Sequence, residues 1–182
     1  DLERVDVDPV TLDLVENALR NARYEMDEVL FRTALSPGIR EQHDEFPMIC
    51  NPAGQMVVGQ FGSYIPEIVE QYKNNINEGD IFVWNDPYAC KGSISHNNDW
   101  CVMMPIFHEG VLVGFSSIFG HMVDVGGSVP GSMPADARTI WLGGVQGATS
   151  EEPAGAWSWV SAAADTGTSI AATPCAPSGS LA

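Results

Sequence analysis

Residues 96–121 read HNNDWCVMMPIFHEGVLVGFSSIFGH, and the fold follows from them. Two long apolar, β-rich runs, Trp100 to Phe107 and Val111 to Gly120, are separated only by His108-Glu109-Gly110, so the stretch is a β-hairpin. With His108 and Glu109 as a two-residue loop, Phe107 pairs with Gly110. Extended along the strands, the same register sets His96 opposite His121. Their Cβ atoms would then be about 5 Å apart, provided no bulge intervenes.

Working outward, Ile81-Phe82-Val83-Trp84 is a short buried strand closed by Asn85-Asp86-Pro87. Before it, Phe46 to Cys50 and Gln55 to Val58 flank the turn Asn51-Pro52-Ala53-Gly54, a second hairpin. Ser63 is placed to cap a helix carrying Ile65, Ile68, Val69, Tyr72 and Ile76. Asp8-Pro9 starts a longer helix, because the side chain caps it and the proline needs no N–H at the first helical position. Leu12, Val15, Leu19, Ala22, Met26, Val29 and Thr33 then form one narrow stripe over about seven turns, ending before Ser36-Pro37-Gly38. Such a stripe packs on the domain's own sheet or forms a seam with another subunit. The predicted fold class is α+β, with the long N-terminal helix packed on a mainly antiparallel sheet.

The 182 residues suffice for one full domain or part of a larger one. Eight Lys and Arg against 24 Asp and Glu give a formal charge of −16, which disfavours a nucleic-acid or anionic membrane partner. No run approaches the roughly 18 apolar residues of a membrane span, and the start lacks the order of a secretory signal, so the expected address is cytoplasmic. Cys50, Cys90, Cys101 and Cys175 include no C-x-x-C pair and are expected to be reduced packing residues. The chain opens at Asp1 and not at Met, as a processed protein or a fragment would. From Trp141 onward 29 of 42 residues are Ala, Gly, Ser, Thr or Pro, without Lys or Arg. The expected organisation is therefore a domain over 1–141 and a low-complexity, disordered or aberrant tail over 142–182.

His96 and His121 each stand at a predicted strand end with an acid three residues on, Asp99 and Asp124. Asp86 follows directly on the preceding strand and would reach the same sheet edge. Asp86, His96, Asp99 and His121 would make a two-histidine, two-carboxylate set suited to zinc, manganese or iron rather than calcium. The plainer alternative is a turn-forming Asp86 and histidines satisfied by hydrogen bonds. No nucleotide-binding glycine spacing and no G-x-S-x-G elbow occurs.

Taken in order, Asp8-Pro9-Val10-Thr11-Leu12, Arg32-Thr33-Ala34 with Ser36-Pro37, Asn85-Asp86-Pro87-Tyr88, His96 to Asp99, Phe107-His108-Glu109-Gly110, His121 with Asp124-Val125-Gly126-Gly127, and Pro130-Gly131-Ser132-Met133-Pro134 resemble the N-terminal part of the hydantoinase B/oxoprolinase family. The resemblance covers residues 8 to 141. It implies a B-type catalytic subunit of an ATP-dependent cyclic-amide hydrolase of the hydantoinase/5-oxoprolinase type. The partner would be a hydantoinase A-type subunit that binds ATP and activates the substrate. It also implies a divalent metal at Asp86, His96, Asp99 and His121, with Asp124 orienting His121 and the Gly126-Gly127 backbone close to a small carbonyl or cyclic-amide substrate. Arg40, Glu41 and Asp44 fall on a further polar motif of the family as substrate contacts. Two departures stand out: Ala89 to Ser95 is longer than the usual connection, and Met122 replaces a histidine common in members. The alternatives are a subunit of an ATP-dependent acetone or acetophenone carboxylase and, from another class, a non-catalytic assembly subunit or an inactive truncated product.

Overall fold

In the computed structural model of the chain, residues 6–145 and 170–172 are described. The elements are α1 (Pro9–Thr33), α2 (Pro37–Gln42), β1 (Met48–Cys50), β2 (Met56–Val58), α3 (Pro66–Tyr72), β3 (Ile81–Trp84), β4 (Asp99–His108), β5 (Val111–His121), a 3-10 turn (Ile140–Gly143) and β6 (Ile170–Ala172). They build one sheet in the order β2-β1-β5-β4-β3-β6, antiparallel except for the β3–β6 pair. The α+β, mainly antiparallel architecture is as expected. Of the predicted tail, residues 142–145 continue from the 3-10 turn and residues 170–172 belong to the sheet as β6; 146–169 and 173–182, with Cys175, lie outside the described residues.

The β4–β5 hairpin sits at the centre of the sheet, but its register differs from the arithmetic. Glu109 and Gly110 form the loop, at φ 50° and 78°, and His108 pairs with Val111. Two successive residues at positive φ match the right-handed twist of the flanking strands, and glycine takes such a conformation without strain. A bulge between Ile106 and Phe107 shifts the pairing once more. His121 therefore opposes Asp99 and not His96.

Alternation along the strands puts Cys101, Met103, Phe115 and Phe119 into the core with Phe82 and Trp84 of β3. Ile68 and Val69 of α3, together with Tyr64, Ile65, Cys90 and Ile94, complete it. Cys50, Cys90 and Cys101 are free and buried, as packing residues should be. Burial pushes the Cys50 thiol up to about 12, so it is inert at neutral pH. The helix α3 is shorter than its apolar pattern suggested. Ser63 does not cap it; the Ser63 hydroxyl accepts a hydrogen bond from the Met56 N–H.

The N-terminus of α1 is capped as predicted, the Asp8 carboxylate accepting from Val10 and Thr11 N–H. Its buried side chains, however, are Arg23 and Asp27, while Leu12, Val15 and Val29 are more than half exposed. Within the stripe Leu19 and Met26 are half-buried, Met26 against Ser116 of β5, so only part of it packs on the domain's own sheet. The helix contacts β1 and β2, and its buried side chains form an ion pair within it, Arg23 Nη2 to Asp27 Oδ2 at 2.8 Å. Glu45 lies beside this pair, and burial, reinforced by Asp27, pushes its carboxyl up to about 7. Among the described residues no helix is long and apolar enough to cross a membrane.

Candidate metal centre

The rim where β4 begins and β5 ends carries the polar cluster. Asp99 is the first residue of β4 and His121 the last of β5; as a cross-strand pair their side chains share one face. His96 reaches them by a turn, in which the Asp99 N–H donates to the His96 carbonyl. His121 Nδ1 lies 3.5 Å from Asp99 Oδ1, and His96 Nε2 lies 3.7 Å from Asp99 Oδ2. The two imidazoles meet edge to face with centroids 5.1 Å apart. One ligand atom from each of the three residues lies within 4.8 Å of the others. Asp44 Oδ2 is 3.9 Å from His121 Nδ1 on the outer side.

Buried amides hold this rim in place. Asn98 Nδ2 donates to the carbonyls of Met122 and Gly131, Asn97 Nδ2 to that of Ile140, and Asn85 Nδ2 to those of Asn97 and Val145. The strand end is tied from the other side by Ser36 Oγ, which donates to the His121 carbonyl. None of these asparagines stood out in the sequence as a site residue. The available signal was the run His96-Asn97-Asn98-Asp99, four polar residues leading into an apolar strand, all but His96 buried.

The donor set fits a cation. Separations of 3.5 to 3.9 Å exceed ordinary N–H···O hydrogen bonds. They are close to the roughly 3.3 Å edge expected between ligands about 2 Å from one tetrahedral ion. His96 Nδ1 is buried without a hydrogen-bond partner. Burial pushes the Asp99 carboxyl above its ordinary value, the two imidazoles pull it back, and Asp44 adds to the push. Two imidazole nitrogens and a carboxylate suit zinc, manganese or iron(II).

The other predicted residues take different places. Asp86 stays outside the group: it is buried, and its Oδ1 accepts from the Tyr88 N–H within its own Asn-Asp-Pro turn. Asp44 is the second carboxylate that approaches the histidines. Asp124 does not orient His121. Its Oδ1 accepts from Ser132 Oγ at 2.6 Å and from the Gly126 N–H, and its Oδ2 accepts from the Gly131 N–H. These bonds, that of Ser132 foremost, hold its carboxyl below the usual range. The Gly126 and Gly127 N–H groups are spent inside the loop, on Asp124 and on Ser132 Oγ, so they are not aimed at a substrate. Arg40 forms an exposed pair with Glu41 at 3.1 Å.

Next to the cluster a cleft of about 790 Å³ opens between the 87–97 turn and the 132–143 segment, with His96 in its wall. Tyr88, Ile94, Met133, Pro134 and Ile140 give it apolar sides. A cleft of this size holds a small organic molecule.

An α+β domain with a His–Asp–His group that could hold a cation at the rim of its central hairpin, beside a cleft of about 790 Å³, defines a candidate metal-dependent enzyme. The family model for hydantoinase B/oxoprolinase matches residues 8–149, and the chain belongs to that family. It is 35% identical over 149 residues to the caprolactamase subunit beta of Pseudomonas jessenii, covering 77% of this chain and 25% of that protein. It is 32% identical over 161 residues to 5-oxoprolinase 1 of Arabidopsis thaliana, covering 76% and 12%. The crystal structure of the ATP-dependent caprolactamase from Pseudomonas jessenii superposes with a TM-score of 0.69 at 32% identity, covering 78% of this chain and 26% of that one. The chain thus spans between about a tenth and a quarter of the length of these relatives.

Proposed function

We propose that the chain is the metal-bearing part of a B-type subunit in an ATP-dependent cyclic-amide hydrolase. The observation that carries this reading is the convergence of His96, Asp99 and His121 beside a cleft that His96 lines, in a member of this family. His96, Asp99 and His121 would hold a divalent ion, zinc, manganese or iron, which when bound would polarise a carbonyl or lower the pKa of a water. Asn98 and Ser36 fix the backbone on either side of His121, so the ligand positions are set before substrate arrives. Asp44, part-exposed beside His121, is placed to accept a proton at Oδ2 from a water entering the site. The apolar cleft walls offer contact surface to the body of the amide.

ATP would be used by a hydantoinase A-type partner, in keeping with a chain that has no nucleotide-binding loop sequence. Support for a multi-subunit assembly comes from the relative named as a subunit beta. The test is reconstitution of the protein with such an ATP-binding partner, ATP and a panel of cyclic amides. ATP-dependent ring opening that is lost in Asp99→Asn is expected. Ketone consumption dependent on bicarbonate would instead assign a carboxylase. ATP turnover with neither reaction, or activity untouched by Asp99→Asn, would overturn the catalytic reading in favour of an assembly role.

A further inference from the structure

The charge distribution around the cleft points to a ligand chemistry. Seven Lys and Arg fall within the described residues of this strongly acidic chain, and nearly all are engaged. Arg20 pairs with Glu16, Arg23 with Asp27, Arg40 with Glu41 and Lys73 with Glu70, and Arg32 donates to the Glu28 carbonyl. Lys91 and Arg138 are the exceptions. Among the described residues neither side chain has an ion-pair or hydrogen-bond partner, and both line the cleft that contains His96. They come from separate segments, the turn after β3 and the loop before the 3-10 turn.

Lys91 also sits at φ 52°, a conformation that a glycine or asparagine takes at less cost. With 24 acids in the chain, cations left over by chance would be expected next to carboxylates. Instead the two unpaired ones flank one concavity. An arginine fork and a lysine ammonium on opposite walls match a carboxylate or phosphoryl group, and the apolar walls match a small organic body attached to it.

We propose that this cleft is an anion subsite in which Lys91 and Arg138 grip a carboxylate or phosphoryl group of the substrate while its reacting carbonyl faces His96. The assignment rests on the cleft serving the site described above. It predicts that the substrate presents a negative group to Lys91 and Arg138.

The test is titration of the purified protein with inorganic phosphate and, separately, with glutarate at constant ionic strength, followed by backbone amide NMR shifts. Saturable shifts confined to residues 91–97 and 132–143 are expected. Lys91→Gln and Arg138→Gln should each weaken binding roughly tenfold, about one charge-assisted contact, and the double variant should abolish it. Lys91→Arg and Arg138→Lys should retain it. A preference for phosphate assigns the subsite to a phosphoryl group, and a preference for glutarate to a carboxylate. Undiminished affinity in a folded double variant, or shifts elsewhere on the surface, would overturn the proposal. Metal content, measured in parallel, should be unchanged in all four single variants. His96→Ala should lose metal yet still respond to the anion, so the two assignments fail separately.

Discussion

Two histidines in this chain are each followed three residues later by an aspartate, and the two pairs have opposite fates. Asp99 begins a strand, is buried, faces both imidazoles, and has its carboxyl pushed up by burial. Asp124 lies beyond the end of β5, closes its own loop through Ser132, Gly126 and Gly131, and has its carboxyl held down by those bonds. Identical sequence spacing therefore says little about shared chemistry. What separates them is whether local donors are available: a carboxylate with backbone N–H groups and a hydroxyl within a few residues satisfies itself, and one in an extended strand must find partners across the sheet.

The largest expected effect is on metal affinity. Asp99→Asn should weaken it by at least the roughly 10–100-fold that loss of even an outer-sphere partner costs, measured by competition with a chelating dye, while Asp124→Asn leaves it unchanged. Equal losses in both would erase the contrast.

Glu45 sharpens it, as a buried carboxylate whose neighbouring cation, Arg23, is already paired with Asp27. Its carboxyl is raised from the ordinary 4.5 to about 7, so the folded state binds the proton more tightly than the unfolded chain. This contribution is full below about pH 4.5 and is lost as pH rises through 7. Glu45→Gln should therefore flatten the stability profile between these values and gain on the order of 2 kcal/mol at pH 8, read by urea denaturation.

In the Asp124 loop, a Cβ added at Gly127 would lie 2.7 Å from Ser132 Cα. Gly127→Ala should thus cost at least about 1 kcal/mol by displacing Ser132, seen as faster amide exchange at Gly126 and Gly131. The smallest effect is that of Asp124→Asn on stability. Because its carboxyl is held down, its contribution exists above the ordinary carboxylate range and fades only as pH falls below it. The variant should differ from the parent at neutral pH and converge with it in acid.

Element boundaries were legible wherever the chain punctuates itself. Asp8-Pro9 opens α1, Asn51-Pro52-Ala53-Gly54 joins β1 to β2, and the apolar runs around Glu109 define β4 and β5. Register was not legible, because it depended on which two residues take positive φ and on a bulge at Ile106/Phe107 that no residue type announces. The inner face of α1 was hidden for another reason. Arg23 and Asp27 look like a solvated pair until Glu45, distant in sequence, folds against them. In the site, His96, Asp99 and His121 were visible as candidates from position alone, though the route by which they meet is different. Asp86 and Asp124 fall outside the cluster, Asp86 with Oδ1 engaged by its own turn and Asp124 with both oxygens engaged by its loop, which spacing does not encode.

The most direct test of the shared cation is X-ray absorption at the metal edge of the zinc-loaded protein. The account predicts a Zn–N shell near 2.0–2.1 Å with the multiple scattering of two imidazoles, falling to one imidazole in His121→Ala and in His96→Ala. A spectrum free of imidazole scattering, or one that keeps both imidazoles in either variant, would contradict it.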